Sequence, residues 1–304
     1  MKAPGSSPSA LIGIALTLGA VAMFAALDTT TKVIVGTVPL LMAIWFRYFF
    51  QAVASTLVMV PRKGWRIWRT QRPGLQVLRG LLLIGSSLAA FEALRHVSVS
   101  EFTAIVSLNP LLITVVAALF FSERVSGLRW LLVIGGFSGA LLIIKPGSAE
   151  FSITLLLPFL VLLGNCLFQL LTSRMVRTED PLTMQLYTGW TGALLASVAL
   201  PWVWTALSPG QWGLMLIMGL TATVGHFMLI LAYERTAVAT MAPYMYAQIA
   251  FAVLGGWLVF SHAPDRWSLI GMCVIAACGV SGAWLTMRQA RTARDALSQP
   301  VQPS

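Results

Sequence analysis

The chain of 304 residues is 58% hydrophobic and only 10% charged, with a mean hydropathy of +0.83. Soluble domains carry about 25% charged residues, so the composition excludes an ordinary soluble enzyme, and so much apolar surface excludes a solvated, disordered coil. The net charge of +10 does not point to nucleic acid either. The basic residues avoid the apolar runs and gather in a few connections, which is what membrane orientation produces.

A membrane helix needs about 20 mostly apolar residues, and unpaired backbone in lipid is costly enough that such runs must be helical. Ten runs meet this description. In the first half they lie at Ala10–Thr31, Pro39–Val60, Leu75–Leu94, Glu101–Phe121 and Gly127–Ile144; in the second half at Ile153–Arg174, Thr183–Trp204, Gln211–Tyr233, Val238–Phe260 and Trp267–Met287. Short connections rich in Gly, Pro and charge separate them, as at Lys145-Pro146-Gly147 and Ser208-Pro209-Gly210. Ala20-Val21-Ala22 resembles a signal-peptide cleavage site, but cleavage there would leave nine spans and destroy the symmetry described below. The expectation is an all-α integral membrane protein of ten transmembrane helices.

Loop charges set its orientation. With the N-terminus in the cytoplasm, Lys2, Arg62, Lys63, Arg66, Arg69, Arg72, Arg79, Arg124, Arg129, Arg174, Arg177, Arg235, Arg288, Arg291 and Arg294 fall inside. Only Lys32, Arg47, Arg95, Lys145 and Arg266 remain for the membrane or the outer side. Both termini are therefore expected in the cytoplasm, with a frayed polar tail from Arg288 to Ser304. Cys166, Cys273 and Cys278 all lie inside apolar runs, with neither a disulfide framework nor a zinc spacing, and read as small packing residues.

The two halves echo each other. At an offset of 142, Lys32, Pro39, Leu40 and Met42 fall on Arg174, Pro181, Leu182 and Met184; at 139, Ala93, Val99, Phe121 and Ser122 fall on Ala232, Val238, Phe260 and Ser261. Five spans per half is an odd number, so the halves cross the membrane in opposite senses. The domain reading is a cytoplasmic tail at 1–9, a first five-helix repeat at 10–147, a second at 152–287, and a tail at 288–304. Inverted repeats that rock about a midplane site are the usual build of secondary transporters.

No catalytic, metal-binding or cofactor-binding motif occurs, and His96, His226 and His262 lie on separate segments. Attention moves to polar groups inside lipid, where each is expensive. Asp28 and Lys32 share a helix face and can pair, either as a substrate or proton contact or as a neutralised pair at the membrane edge. Arg47, midway through the second span, needs an anionic or carbonyl partner, and Asp28 is the nearest candidate in sequence. Glu92 is a second proton-coupling candidate beside Asp28, or else holds Arg95 at the interface. Asn165, Gln169 and Thr172 fall on one face of the sixth span, suited to a ligand with mixed donors and acceptors or to neighbouring helices. On the ninth span Tyr244 and Gln248 are four apart; with Tyr187 and Trp190 of the seventh they could sandwich a flat ring, unless they are interfacial aromatics. Asn109-Pro110 should kink the fourth span. Gly135-Phe137-Gly139 and Gly271-Cys278-Gly279-Gly282 are small-residue faces for close packing, including a possible homodimer through spans five and ten.

Taken in order, these features resemble the drug/metabolite transporter superfamily, EamA type. The resemblance rests on Asp28 to Lys32, Pro39, Trp45-Phe46-Arg47-Tyr48, Leu78-Arg79-Gly80, Ala93-Leu94-Arg95, Asn109-Pro110-Leu111 and Ser122-Glu123-Arg124. In the second half it continues through Gly225-His226, Ala232-Tyr233, Ala242-Pro243-Tyr244 and Pro264-Asp265, and departs at Ser261-His262, where the family usually has Gly-Glu. The resemblance implies a carrier of the bacterial inner membrane whose cavity is lined by spans one to four and six to nine, with five and ten behind. The chain looks most like the branch holding riboflavin and S-adenosylmethionine transporters. The implied partners are the bilayer and a small organic substrate, with riboflavin uptake as the leading expectation. Export of amino acids or other small metabolites is the alternative, and a membrane scaffold or enzyme subunit stands as a third reading.

Overall fold

The computed structural model describes residues 8–120, 126–145, 153–236 and 238–297. Ser122-Glu123-Arg124, Pro146-Gly147, most of the N-terminal tail and residues 298–304 lie outside the described residues. Twelve α-helices build the ten spans. The first repeat holds α1 (Pro8–Ile34), α2 (Leu40–Lys63), α3 (Pro73–His96), α4 (Val99–Val106), α5 (Asn109–Phe120) and α6 (Gly127–Ile144). The second holds α7 (Leu157–Met175), α8 (Pro181–Val203), α9 (Pro209–Arg235), α10 (Val238–Met245), α11 (Ala247–Phe260) and α12 (Arg266–Leu297). Seven helices are by themselves long and apolar enough to cross a membrane; the broken α4–α5 pair, α6 and α8 complete the ten by their places between them.

Two spans are broken where one continuous helix was expected. Pro110 has no N–H to give and crowds the preceding turn, so the fourth span stops at Val106 and restarts at Asn109, as the Asn109-Pro110 pair predicts. The ninth span breaks at Tyr246, an interruption that Ala242-Pro243 alone did not signal. In the tenth, helix continues to Leu297 where a frayed tail was expected from Arg288.

Local chemistry sets the helix ends. Ser98 and Ser208 each form a capping box, with Glu101 and Gln211 respectively, and Asp180 accepts from the backbone N–H groups of Leu182 and Thr183. Proline opens α8 and α9, where its missing N–H costs nothing. Hydroxyls inside the bundle return their protons to the carbonyl one turn back, as Thr29, Thr31 and Thr188 do at 2.7–2.9 Å, so each is satisfied without a second helix.

The packing repeats with two-fold symmetry. Helix α1 lies on α9 as α7 lies on α3; α3 meets α8 as α9 meets α2; α1 touches α11 as α7 touches α5. The pairs α2–α8 and α6–α12 each map onto themselves. This is the arrangement that two five-span halves of opposite sense must produce. The end of the bundle where α1, α3 and α8 begin is called the N-side below, and the opposite end the far side.

The glycine faces of α6 and α12 are spent on each other. A Cβ on Gly139 would stand 2.8 Å from the Gly271 carbonyl oxygen, and one on Gly135 would stand 2.8 Å from the Cys278 sulfur. At the far-side end of this pair Lys145 donates to Asp265 at 2.8 Å, and that hydrogen bond holds the Asp265 carboxyl well below its ordinary range. Large apolar side chains such as Leu57, Leu131, Val198 and Leu258 point outward at 65–69% exposure, a belt that only lipid can cover.

Gly271→Val should therefore force α6 and α12 apart and lower the stability of the detergent-solubilised protein by about 1–3 kcal/mol. Gly85→Ala, where nothing lies within 4 Å of the added carbon, should leave the melting temperature unchanged or slightly raised in the same assay, since alanine favours the helix over glycine.

Candidate functional site

Between the two breaks, at mid-height of the bundle, lies a cavity of about 110 Å³; by the same measure one water needs roughly 10–15 Å³. Spans one to four, six, eight and nine line it. The seventh span does not: α8 packs against α2 and α3 outside the lining, which corrects the expectation that spans six to nine would all contribute.

Asp28, Arg47, Asn165, Gln169 and Gln248 come together on the cavity wall, although they lie on four different spans. Asp28 does not pair with Lys32. Lys32 instead donates to the carbonyls of Leu94 and Val97 at 2.6 and 2.9 Å, closing the end of α3. The Asp28 carboxylate receives only long hydrogen bonds, from Thr103 at 3.3 Å and Gln248 at 3.4 Å.

Arg47 does not form an ion pair with Asp28 among the described residues, although both border the same space. Its guanidinium donates to Ser87 at 2.9 Å and lies 5.3 Å from the Tyr48 ring centre, while its buried Nε has no partner. A buried guanidinium satisfied on one side only presents its remaining donors at high potential to whatever enters.

The amides differ in readiness. Gln169 already accepts from Tyr233 at 2.9 Å through its carbonyl, leaving its NH₂ to the cavity. The Asn165 side chain has no hydrogen-bond partner among the described residues. Asn109, at the start of α5, lines the same space with both side-chain polar atoms buried and unpaired. Unpaired buried amides are rare because each costs about 1–3 kcal/mol. Apolar walls come from Phe24, Phe102 and Phe168, with His226 set edge-on between Phe24 and Phe168.

Four other sequence candidates lie elsewhere. Tyr187 donates to the Trp68 carbonyl at 2.9 Å, and Trp190 to Thr56 at 3.1 Å, both toward the N-side behind the cavity. Tyr244 faces outward at 37% exposure. Glu92 sits at the far-side end of α3, paired with Arg95 and His96 at 3.3 Å, the interface role weighed against proton coupling. Sequence reasoning missed Asn109 as a polar group and read it only as a kink. It also counted Arg79 among the cytoplasmic charges that set orientation, whereas Arg79 is completely buried within α3. Spacing within one helix could not reveal either role, because their neighbours come from other spans.

An inverted-repeat helix bundle with a polar cavity at mid-height is the build of a membrane carrier. Residues 11–145 are similar to the EamA-like transporter family. Over 76% of its length the chain is 26% identical to the S-adenosylmethionine uptake transporter of Rickettsia bellii, covering 79% of that protein. It is 29% identical to the riboflavin transporter of Rhizobium johnstonii over 78% of its length and 79% of the relative. It is also 25% identical to the pseudopaline exporter CntI of Pseudomonas aeruginosa, over 88% of this chain and 94% of that one. A crystal structure at 18% identity superposes with a TM-score of 0.65 across 91% of this chain and 97% of the other, the same fold. The chain is thus built as a multi-pass membrane protein, and it is similar to transporters of small metabolites.

If the cavity lining binds substrate, Asn165→Ala should raise the KM for transport severalfold, while Trp190→Phe should leave KM unchanged and alter only stability. Initial rates across a range of substrate concentrations in proteoliposomes, beside melting curves of the same samples, separate the two.

Proposed function

We propose that the protein is a secondary carrier that takes up a zwitterionic, amino-acid-bearing metabolite carrying an aromatic base, of the S-adenosylmethionine type, by alternating access. One observation carries this reading: Asp28 and Arg47 share a cavity without forming a direct ion pair. A carboxylate and a guanidinium left unpaired in a low-dielectric space fit a ligand that brings an ammonium to one and a carboxylate to the other. The unpaired Asn109 and Asn165 amides supply donors and acceptors for a purine edge, and Phe24, Phe102 and Phe168 supply apolar and stacking surface. The relatives named as S-adenosylmethionine uptake transporters support the same choice.

Riboflavin uptake is the second reading, supported by relatives of 28–29% identity and by the Asn165, Gln169 and Gln248 amides. It was the leading expectation when Tyr187, Trp190 and Tyr244 were counted as a stacking cage. Those rings stand off the cavity, and a neutral isoalloxazine leaves both charges without partners. Asp28 is the proton-coupling candidate that the cavity retains, since Glu92 lies at the far-side rim. We also propose that the N-side is cytoplasmic. Arg79 leaves the loop tally because it is buried, and the basic excess of that face persists without it. A homodimer through α6 and α12 would have to use their outward sides, at Leu131, Leu141 and Val280, because their glycine faces are already occupied.

The test is uptake of labelled S-adenosylmethionine and of labelled riboflavin by proteoliposomes holding the purified chain, with and without a proton gradient. Saturable uptake of the first is expected. Arg47→Gln and Asp28→Asn should each weaken it by about 30-fold or more, as expected when one partner of a desolvated charge contact is removed. Saturable riboflavin uptake that both variants leave intact would transfer the assignment to the second reading.

A further inference from the structure

On the N-side of the cavity the two repeats are held together by a buried polar network that the binding site does not use. Glu179, in the turn between α7 and α8, is only 6% exposed although it is a carboxylate. Its donors come from the other repeat: the Thr70 hydroxyl at 2.8 Å, the Gln71 backbone N–H at 3.0 Å, and the Gln76 amide at 3.5 Å. Next to it Asp180 is paired with Lys63, the last residue of α2. Burial would raise the Asp180 carboxyl, but the contact with Lys63 and the α8 backbone N–H groups hold it below its ordinary range.

The network continues inward. Gln76 accepts from Arg79 at 3.2 Å, and Arg79 reaches across to the Thr172 hydroxyl at 3.0 Å and the Met184 carbonyl at 3.2 Å, one on each side of the turn that carries Glu179. Its guanidinium lies 4.9 Å from the ring centre of Phe168, a cavity wall. Arg79 and Thr172 each sit one helical turn to the N-side of a cavity residue, Leu83 and Phe168 respectively. The network is therefore the layer directly beneath the cavity, and every inter-repeat bond in it joins residues 63–79 to residues 172–184.

The far side is closed by other contacts, among them the Ser268 hydroxyl of α12 donating to the Glu101 carboxylate of α4 at 2.9 Å. By the offset of 142, Glu179 and Asp180 correspond to Thr37 and Val38 in the turn between α1 and α2. There the equivalent crossing is a single amide contact, Gln211 to the Thr37 carbonyl at 3.0 Å. The ion pair of that face, Lys145 with Asp265, ties α6 to α12 behind the cavity. The two symmetry-related turns thus cross between the repeats by different chemistry, charged at Glu179 and Asp180 and neutral at Thr37.

We propose that Glu179, Gln76 and Arg79 form the gate that closes the cavity toward the N-side, and that parting this network is the step by which substrate crosses that face. The inference rests on the carrier reading but not on the identity of the substrate. Arg79 and Glu179 act by holding the repeats together; neither touches the cavity.

Side-specific thiol labelling tests it. In a background with Cys166, Cys273 and Cys278 replaced by serine, Ser107→Cys places a reporter on the cavity wall, and a membrane-impermeant maleimide is applied from each face of oriented vesicles. Glu179→Ala should raise labelling from the N-side by at least about tenfold, equivalent to about 1.4 kcal/mol, and leave far-side labelling unchanged or lower. Thr70→Val, which removes one donor at nearly constant volume, should give a smaller rise in the same direction, and Glu179→Gln should fall back toward the parent because its amide oxygen still accepts. Gln211→Ala should not change N-side labelling. Unchanged N-side labelling in both Glu179→Ala and Thr70→Val, with both proteins folded by melting curve, overturns the proposal, as does an equal rise from both faces. The labelling needs no substrate, so loss of the S-adenosylmethionine assignment leaves this result readable.

Discussion

The constraint on which the rest depends is that a polar group inside a lipid-embedded bundle has no bulk water to turn to. Along most of this chain the constraint is met locally, by helix hydrogen bonds and by threonine and serine hydroxyls returning to the carbonyl four residues back. Where local satisfaction fails, partners must come from other spans, and those places are few. Two of them are the mid-height cavity, with Asp28, Arg47, Asn109 and Asn165, and the layer beneath it, with Arg79, Gln76 and Glu179. The apolar exterior makes the membrane protein, but these two polar layers make it a carrier.

The layers differ in how completely they are satisfied. In the lower one Glu179 has three donors, and Arg79 has three acceptors with one nitrogen left over. In the cavity, Asp28 has two long contacts, Arg47 has one hydroxyl and an orphan Nε, and Asn109 has nothing. A satisfied polar layer rigidifies, whereas an unsatisfied one waits for a partner. The division between a gate and a site is therefore visible in hydrogen-bond bookkeeping alone, before any substrate is named.

Most of the fold was legible in the sequence because membrane spans announce themselves by length and hydropathy, and nine of the ten expected runs begin within two residues of the helices that form. The sixth, expected from Ile153, is preceded by a short 3-10 turn and starts as α-helix at Leu157. Pro110 announced the break in the fourth span by its chemistry. The break at Tyr246 did not, since Pro243 sits inside α10 and not at the interruption. Weak matches at an offset of 142 were enough to reveal the inverted repeat that the packing displays. The site was less legible. Spacing on one helix correctly put Asn165 and Gln169 on a common face, but the same logic grouped Tyr244 with Gln248, which part company where the helix breaks between them. Lys32 shows the limit most clearly: its neighbour along the helix is Asp28, yet the exposed carbonyls at the end of α3 hold it instead.

Arg79 carries this lesson into the mechanism. As a basic residue near the start of a span it contributes to an orientation count like any other, and only its tertiary surroundings distinguish it. Complete burial, two acceptors from the opposite repeat and a ring of the cavity wall at 4.9 Å make it costly to move and well placed to register movement. Rocking one repeat against the other must separate Arg79 from Thr172 and Met184 together, because both acceptors lie on the repeat that departs. A network whose inter-repeat bonds all cross one boundary breaks there as a unit, and this gives the N-side two discrete arrangements instead of a gradual widening. At the symmetry-related turn on the far side the crossing is the neutral contact of Gln211 with the Thr37 carbonyl. The asymmetry between the mouths follows from two carboxylates in one turn, placed where the symmetric turn has a threonine and a valine.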